Sequence, residues 1–423
     1  MQSGENKCTS IYVHEVSKKV IILKLNSLNN FIFLKGNALS AFFINLFNID
    51  KTYRGDFHFP FLDGLRFFAF VWVFLGHLPR PIPYLSFFQK TNWIGVDLFF
   101  SLSSFLIMSL FIIEYRKKST FSIKNFIVRR SLRILPLYYL MICIGFFIYP
   151  YYGFSIGPVD GSSYENLMDY LLSFIFMFSN NVLPYSDVSV GAALGPLWSI
   201  NVEFQFYLFF CLASFGFLYY KEKILKFNAL IIISLLLFGF LVRLFFFLWG
   251  EQKYIYGNFF TRIDPFIIGC IVSVFCYKLN SGSYDNILNK NLLGPFFLIV
   301  TTVLFYFAST LPHPSITSFS NVYLYSITGL GGGCLLISCF LMKNTLAKIL
   351  SINIFVKLGR LTFGMYVFHS SAIEIAVRVP NPISAMNNNF FCAVLSFLLT
   401  VGIAYISYEM YEKAFLKLKL KFN

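Results

Sequence analysis

Ten stretches of mostly apolar residues follow one another along this chain of 423 residues, at roughly 60–78, 93–113, 134–151, 197–219, 228–249, 262–279, 294–311, 322–342, 358–377 and 390–415. Each reaches or approaches the roughly 20 residues that a helix needs to cross the hydrocarbon core of a bilayer. Hydrophobic residues make up 57% of the chain and charged ones only 13%, against about 25% charged in a soluble domain. Too few polar side chains exist to cover an apolar interior in water. In lipid every backbone polar group must be satisfied within its own segment. The expected fold class is therefore all-α: a polytopic integral membrane helical bundle of about ten transmembrane helices.

The net charge of +15 could suggest nucleic acid, but nucleic-acid binders pair a dense basic face with ordinary hydropathy. Here the basic residues act as an orientation signal. Lys and Arg concentrate in cytoplasmic loops, and with both termini inside, 27 of the 34 Lys and Arg fall on that side. Only Arg80, Lys90, Lys253 and Arg378 fall outside. An eleventh apolar stretch, 167–183, carries Asp169 and ends in Asn180-Asn181. Letting it cross would invert everything after it, so 152–196 is expected to be an outer segment that dips in without crossing. Residues 1–57 read as a cytoplasmic lead-in with an interfacial or frayed stretch at 39–48, residues 58–415 as the membrane domain, and 416–423 as a basic cytoplasmic tail. No signal-peptide pattern opens the chain. The eight Cys show neither CxxC nor Cys/His spacing, so no metal site is expected.

Ionisable groups inside hydrocarbon are costly and mark function by default. Asp63, Arg66 and His77 share the first span. Arg66 and His77 are eleven residues apart, three helical turns plus about 20°, which puts both on one face ~16 Å apart. The ordinary alternative is a His bonded to a backbone carbonyl and an Arg snorkelling to the surface. Asp97, in NWIGVDLFF, lies at the depth where it either pairs with His77 or caps its own helix. In GPLWSINVEFQFYLFF, beside Trp198, the residues Ser199, Glu203 and Tyr207 recur at i, i+4, i+8. Glu203 is either a site carboxylate or a strut paired with Arg243 or Arg262. Arg262 and Asp264 open the sixth span, and His369 lies in the ninth. Asp97, His77, Glu203, Asp264 and Arg262 are expected to converge on one layer. Arg129, Arg130 and Arg133 stand at the inner mouth of the third span, with Arg130 and Arg133 at i, i+3. Such a pair suits phosphate oxygens, on a ligand or on lipid.

These segments together resemble the acyltransferase-3 family of membrane O-acyltransferases that decorate bacterial glycans. The resemblance rests on FLDGLRFFAFVWVFLGH with its Arg-x10-His spacing, GVDLFFSLSSFLI, RRSLRILPLYYL, LWSINVEFQFYL, RIDPFIIG and LGRLTFGMYVFH, in the family's order over roughly 60–415. The chain departs from the family pattern at Phe204, where a second Glu is common, and at Ser104, where Gly is usual. The resemblance implies transfer of an acyl group, usually acetyl, from cytoplasmic acyl-CoA to a carbohydrate hydroxyl, in a multi-pass protein of the cell inner membrane. It implies that His77 and Arg66 form the essential pair, that Arg130 and Arg133 bind the donor, and that Glu203 is a site carboxylate. Expected partners are acetyl-CoA, a carbohydrate acceptor and the lipid bilayer, and no nucleic acid. The expected chemistry has neutral His77, oriented by Asp97 or Glu203, as base or transient acyl carrier, with Arg66 or Arg262 stabilising the oxyanion. The rival reading is a transporter or flippase of a lipid-linked sugar, since intramembrane charges also line translocation paths.

Overall fold

The computed structural model describes residues 59–79, 81–82, 84–148, 170–182, 191–219, 221–280, 290–378 and 388–422. The lead-in 1–57 lies outside these residues. Among the described residues there is no strand, and ten helices run to eighteen residues or more. They are α1 (Pro60–His77), α2 (Asn92–Lys118), α3 (Ile123–Cys143), α4 (Leu197–Tyr219), α5 (Lys221–Leu248), α6 (Ile263–Asn280), α7 (Lys290–Thr310), α8 (Leu324–Leu341), α9 (Asn353–Arg378) and α10 (Asn388–Ser407). Seven helical segments are long and apolar enough to cross a membrane. Of the ten helices, α1, α4 and α9 are not among the seven, and these three carry Arg66, His77, Glu203 and His369.

Local chemistry sets the helix ends. Proline stands at the start of α1, where its missing N–H would have no intrahelical partner in any case. Ser122 caps α3 by accepting from the Asn125 amide at 3.3 Å. The third helix starts well before the apolar run at 134–151, so Arg129, Arg130 and Arg133 stand inside it rather than at its mouth. It continues as one π-helical stretch, Ile144–Ile148. The apolar run 390–415 and the basic tail also prove continuous: α10 passes through a π stretch, Tyr408–Glu412, into α11 (Lys413–Lys419). Arg129 Nη1 donates to the carbonyl of Phe422 at 2.8 Å, so the end of the chain is tied to α3.

The doubtful stretch 167–183 contains two short helices, Leu171–Ile175 and Ser179–Val182, neither long enough to span. Met177 breaks them with φ 55°. Described polar residues of this stretch serve to dock it. Asn180 Nδ2 donates to Gly257 O at 2.9 Å, and Asn201 Nδ2 donates to Ser179 Oγ at 2.7 Å.

Helices α1, α2, α6 and α8 enclose one core containing Leu65, Ala69, Leu102, Phe105, Ile268 and Leu336. α9 packs between α1 and α10, and α7 packs on α8. Close approach needs small residues where no hydrophobic force separates helix from lipid. A Cβ on Gly359 would stand 2.0 Å from the carbonyl oxygen of Asp63, so α9 touches the backbone of α1 there. At Gly269 a Cβ would stand 2.1 Å from Ser104 Oγ. The Ser at 104 thus occupies room left by a glycine on α6. On the outside, α5 and α7 expose Ile233, Leu237, Leu248, Phe296, Ile299 and Val303, the surface expected of helices facing acyl chains.

Candidate active site

Three charged clusters form where the sequence suggested one layer. The first lines a cavity between α1, α2, α3, α4 and α9. Arg66, Arg130, Arg133 and Glu203 all reach it, with Ser103, Ser199, Tyr207 and Tyr366. The i, i+4, i+8 stripe of α4 therefore does form one wall. Glu203 accepts hydrogen bonds from the hydroxyls of Ser103 and Tyr207. It pairs with neither Arg243 nor Arg262, so it is not the strut the sequence allowed.

Arg66 is held from its own helix, where Nη1 donates to Asp63 Oδ1 at 3.1 Å. Asp63 also lies 3.8 Å from Arg360 Nε on α9. The Arg130 guanidinium sits 5.6 Å from the Phe126 ring centre and 5.5 Å from that of Tyr207, stacked where a cation gains from the ring quadrupoles. Arg129 turns away to Glu114 at 3.2 Å. Three guanidinium groups and one carboxylate thus line the cavity, an excess of forked donors that suits an anionic ligand.

His77 is not in this cavity. It ends α1 and lines a second one, with Pro79, Ala192, Ser370, Glu374 and Arg378. The tautomer is set by its own backbone: Nδ1 lies 2.9 Å from the carbonyl of Val73. A carbonyl only accepts, so the proton sits on Nδ1 and the lone pair on Nε2. The His369 ring meets the His77 ring edge to face, with centroids 4.7 Å apart. His369 is itself 1% exposed, and its Nδ1 lies 2.6 Å from Tyr366 O. The Tyr366 ring stands 5.5 Å from that of His369, and its hydroxyl bonds Ser199 Oγ at 2.6 Å. Tyr366 therefore touches both halves of the site: it lines the Arg66 cavity and stacks toward the His77 cavity. Neither Tyr366 nor Ser103 stood out in the sequence. The only signal for Tyr366 was its place one turn before His369.

The remaining candidates form a separate scaffold. Asp97 does not orient His77 and does not cap α2. Its Oδ1 lies 3.0 Å from Arg262 Nη1, and its Oδ2 accepts from Thr328 Oγ1 at 2.7 Å. Arg262 is fully buried among the rings of Tyr325, Tyr256, Trp198 and Phe100, at 4.0, 4.9, 5.5 and 5.9 Å. So enclosed, it is not the oxyanion cation considered for it, and Trp198 belongs to its cage. Asp264 Oδ2 accepts from Arg243 Nη2 at 2.8 Å and from Ser326. Arg243 also donates to Val322 O and Thr261 O at 2.6 and 2.8 Å. Both pairs are buried: Arg243 and Asp264 are joined by a hydrogen bond, whereas the Arg262 guanidinium meets Asp97 as an ion pair and is otherwise surrounded by rings, with no hydrogen-bond partner among the described residues. Together the two pairs join α2, α5, α6 and α8.

Comparison with known proteins agrees with this architecture. The family model for the acyltransferase domain of the acyltransferase-3 type matches residues 59–409. YrhL of Bacillus subtilis (strain 168), provisionally named a peptidoglycan O-acetyltransferase, is 27% identical over 368 residues, covering 84% of this chain and 54% of the relative. O-acetyltransferase OatA of Staphylococcus aureus (strain NCTC 8325 / PS 47) is 26% identical over 382 residues, covering 86% and 58%. The chain thus spans a little over half the length of these relatives. No solved structure matches it. With a family model spanning the described bundle from the start of α1 to the end of α10, the chain belongs to the acyltransferase-3 family.

Proposed function

We propose that this chain is a membrane O-acetyltransferase that moves an acetyl group from cytoplasmic acetyl-CoA to a hydroxyl of an extracytoplasmic carbohydrate. The observation that carries the reading is that one helix presents Arg66 to an arginine-lined cavity and His77, three turns away, to a second cavity. The names of both relatives support O-acetyl transfer, and that of YrhL favours peptidoglycan as the acceptor. In this proposal all ten long helices cross a cell's cytoplasmic (inner) membrane, both termini are cytoplasmic, and 152–196 remains outside. Residues 1–57 lead in on the cytoplasmic side, 58–415 form the acyltransferase domain, and 416–423 are a basic cytoplasmic tail.

The roles follow from the distances. Arg130, Arg133 and Arg66 hold the phosphates of the donor, and Glu203 with Tyr207 shapes the passage for its thioester arm. Arg66 and His77 stand ~16 Å apart along the helix, too far to grip one carbonyl. Arg66 is therefore assigned to the donor and His77 to the reacting end. The acceptor hydroxyl gives its proton to Nε2 of His77 as its oxygen attacks the thioester carbon. The C–S bond then breaks, and the proton passes from His77 to the departing thiolate, giving the ester and free thiol. Asp97, Asp264, Arg262 and Trp198 act only through the scaffold.

Purified protein in lipid nanodiscs, given radiolabelled acetyl-CoA and a chitooligosaccharide acceptor, should release thiol and label the sugar. His77→Ala should lose transfer by roughly 10²–10⁴-fold, the usual worth of general-base help. Near-normal transfer by a well-folded His77→Ala protein would sink the assignment. Flippase activity without thioester consumption would favour the transporter.

A further inference from the structure

The cavity at His77 holds a second polar group for which the transfer chemistry has no use. Glu374 lines it one helical turn after Ser370, on the same face of α9. Its Oε1 accepts from Arg378 Nη2 at 2.7 Å. Its Oε2 is buried and finds no donor among the described residues. A carboxylate oxygen without a donor is costly, and a turn of the Glu374 side chain, which is 20% exposed, gives that oxygen to the cavity. His77 Nε2 is the other acceptor there, since Nδ1 is spent on Val73. Two acceptors from two helices, set among the apolar side chains of Pro79, Ala192, Ile373 and Val377, fit a ligand that offers two hydrogen-bond donors beside an apolar ring face.

We infer that Glu374 is an acceptor-binding residue: it takes a hydrogen bond from a sugar hydroxyl or amide N–H adjacent to the hydroxyl that faces His77. Arg378 is its positioning residue, holding the carboxylate by one oxygen. The inference rests on the proposed O-acetyl transfer only in naming the sugar as acceptor, because binding at this wall needs no donor. A hydroxyl on a ring carbon that presents no second donor nearby would dock poorly, which makes the wall a selector among hydroxyls of one sugar.

The test is direct binding of N,N′,N″-triacetylchitotriose to the full chain in nanodiscs, measured without acyl-CoA. Wild type should bind, and Glu374→Gln should bind about tenfold more weakly, the worth of one charge-assisted hydrogen bond. Glu374→Asp, which keeps the charge but withdraws it, should lose a similar amount. In turnover with acetyl-CoA, Glu374→Gln should raise the acceptor KM by the same factor and leave kcat at saturating sugar within about twofold. Equal sugar affinity in wild type, Glu374→Gln and Glu374→Asp would overturn the inference. Sugar binding that depends on Glu374 in a protein that never consumes thioester would instead overturn the acyltransferase reading and keep the binding site.

Discussion

The imidazole rings of His77 and His369 meet edge to face with centroids 4.7 Å apart, although 291 positions separate them in the chain. His77 takes its tautomer from Val73 of its own helix, and His369 takes its orientation from Tyr366 of α9. The contact therefore locks α1 to α9 at the boundary of the two cavities. It also supplies the orienting neighbour for His77 that the sequence sought in Asp97.

Replacing His369 should accordingly reduce turnover without abolishing it. His369→Ala opens space beside His77 and should lower kcat about tenfold, while His369→Phe, which keeps an edge-to-face ring, should recover most of that loss. The measurement is acetyl transfer at saturating donor and acceptor. A His369→Phe protein as impaired as His369→Ala would point to a proton-carrying role instead of a packing one.

The arginines of α3 should read out in donor affinity. Arg130→Ala with Arg133→Ala should raise the KM for acetyl-CoA by tenfold or more and blunt its dependence on ionic strength, since fewer charge-assisted contacts to phosphate remain. A lipid-anchor role predicts unchanged donor KM with altered membrane content. Lys in place of each Arg should restore charge but only part of the affinity, because an ammonium lacks the guanidinium fork.

Asp97 should behave as scaffold. Asp97→Ala leaves Arg262 charged, caged by aromatic rings and without its carboxylate, which costs about 3–5 kcal/mol for a buried pair broken on one side. The expected result is loss of folded protein on size-exclusion chromatography, with whatever folds retaining an ordinary KM for both substrates. A stable, well-folded but inactive Asp97→Ala would return Asp97 to the chemistry.

Gly359 offers a test of how the Arg66 cavity is held. An added methyl would stand 2.0 Å from the Asp63 carbonyl oxygen, a backbone atom that cannot rotate away. Gly359→Ala should push α9 from α1 and shift Arg66, which Asp63 anchors. We expect a lower Tm together with a raised donor KM, measured by thermal unfolding and steady-state kinetics.

What the amino-acid order determined alone was the helical membrane class, the approximate position of each long helix, and the residues too polar to be there by chance. These are local properties: apolar length and the 3.6-residue period are complete within a single segment. The shared face of Arg66 and His77, and of Ser199, Glu203 and Tyr207, followed from that period. Which polar residue meets which was decided only by the tertiary packing. Asp97 and His77 both stand near helix ends, and nothing in spacing could tell that Arg262, rather than His77, would lie 3.0 Å from Asp97. Partner choice in a bundle depends on helix rotation and on glycine contacts such as that of Gly359 with Asp63. Those contacts arise between segments hundreds of residues apart, so a sequence could name the charged groups of this site but not divide them into two cavities and a scaffold.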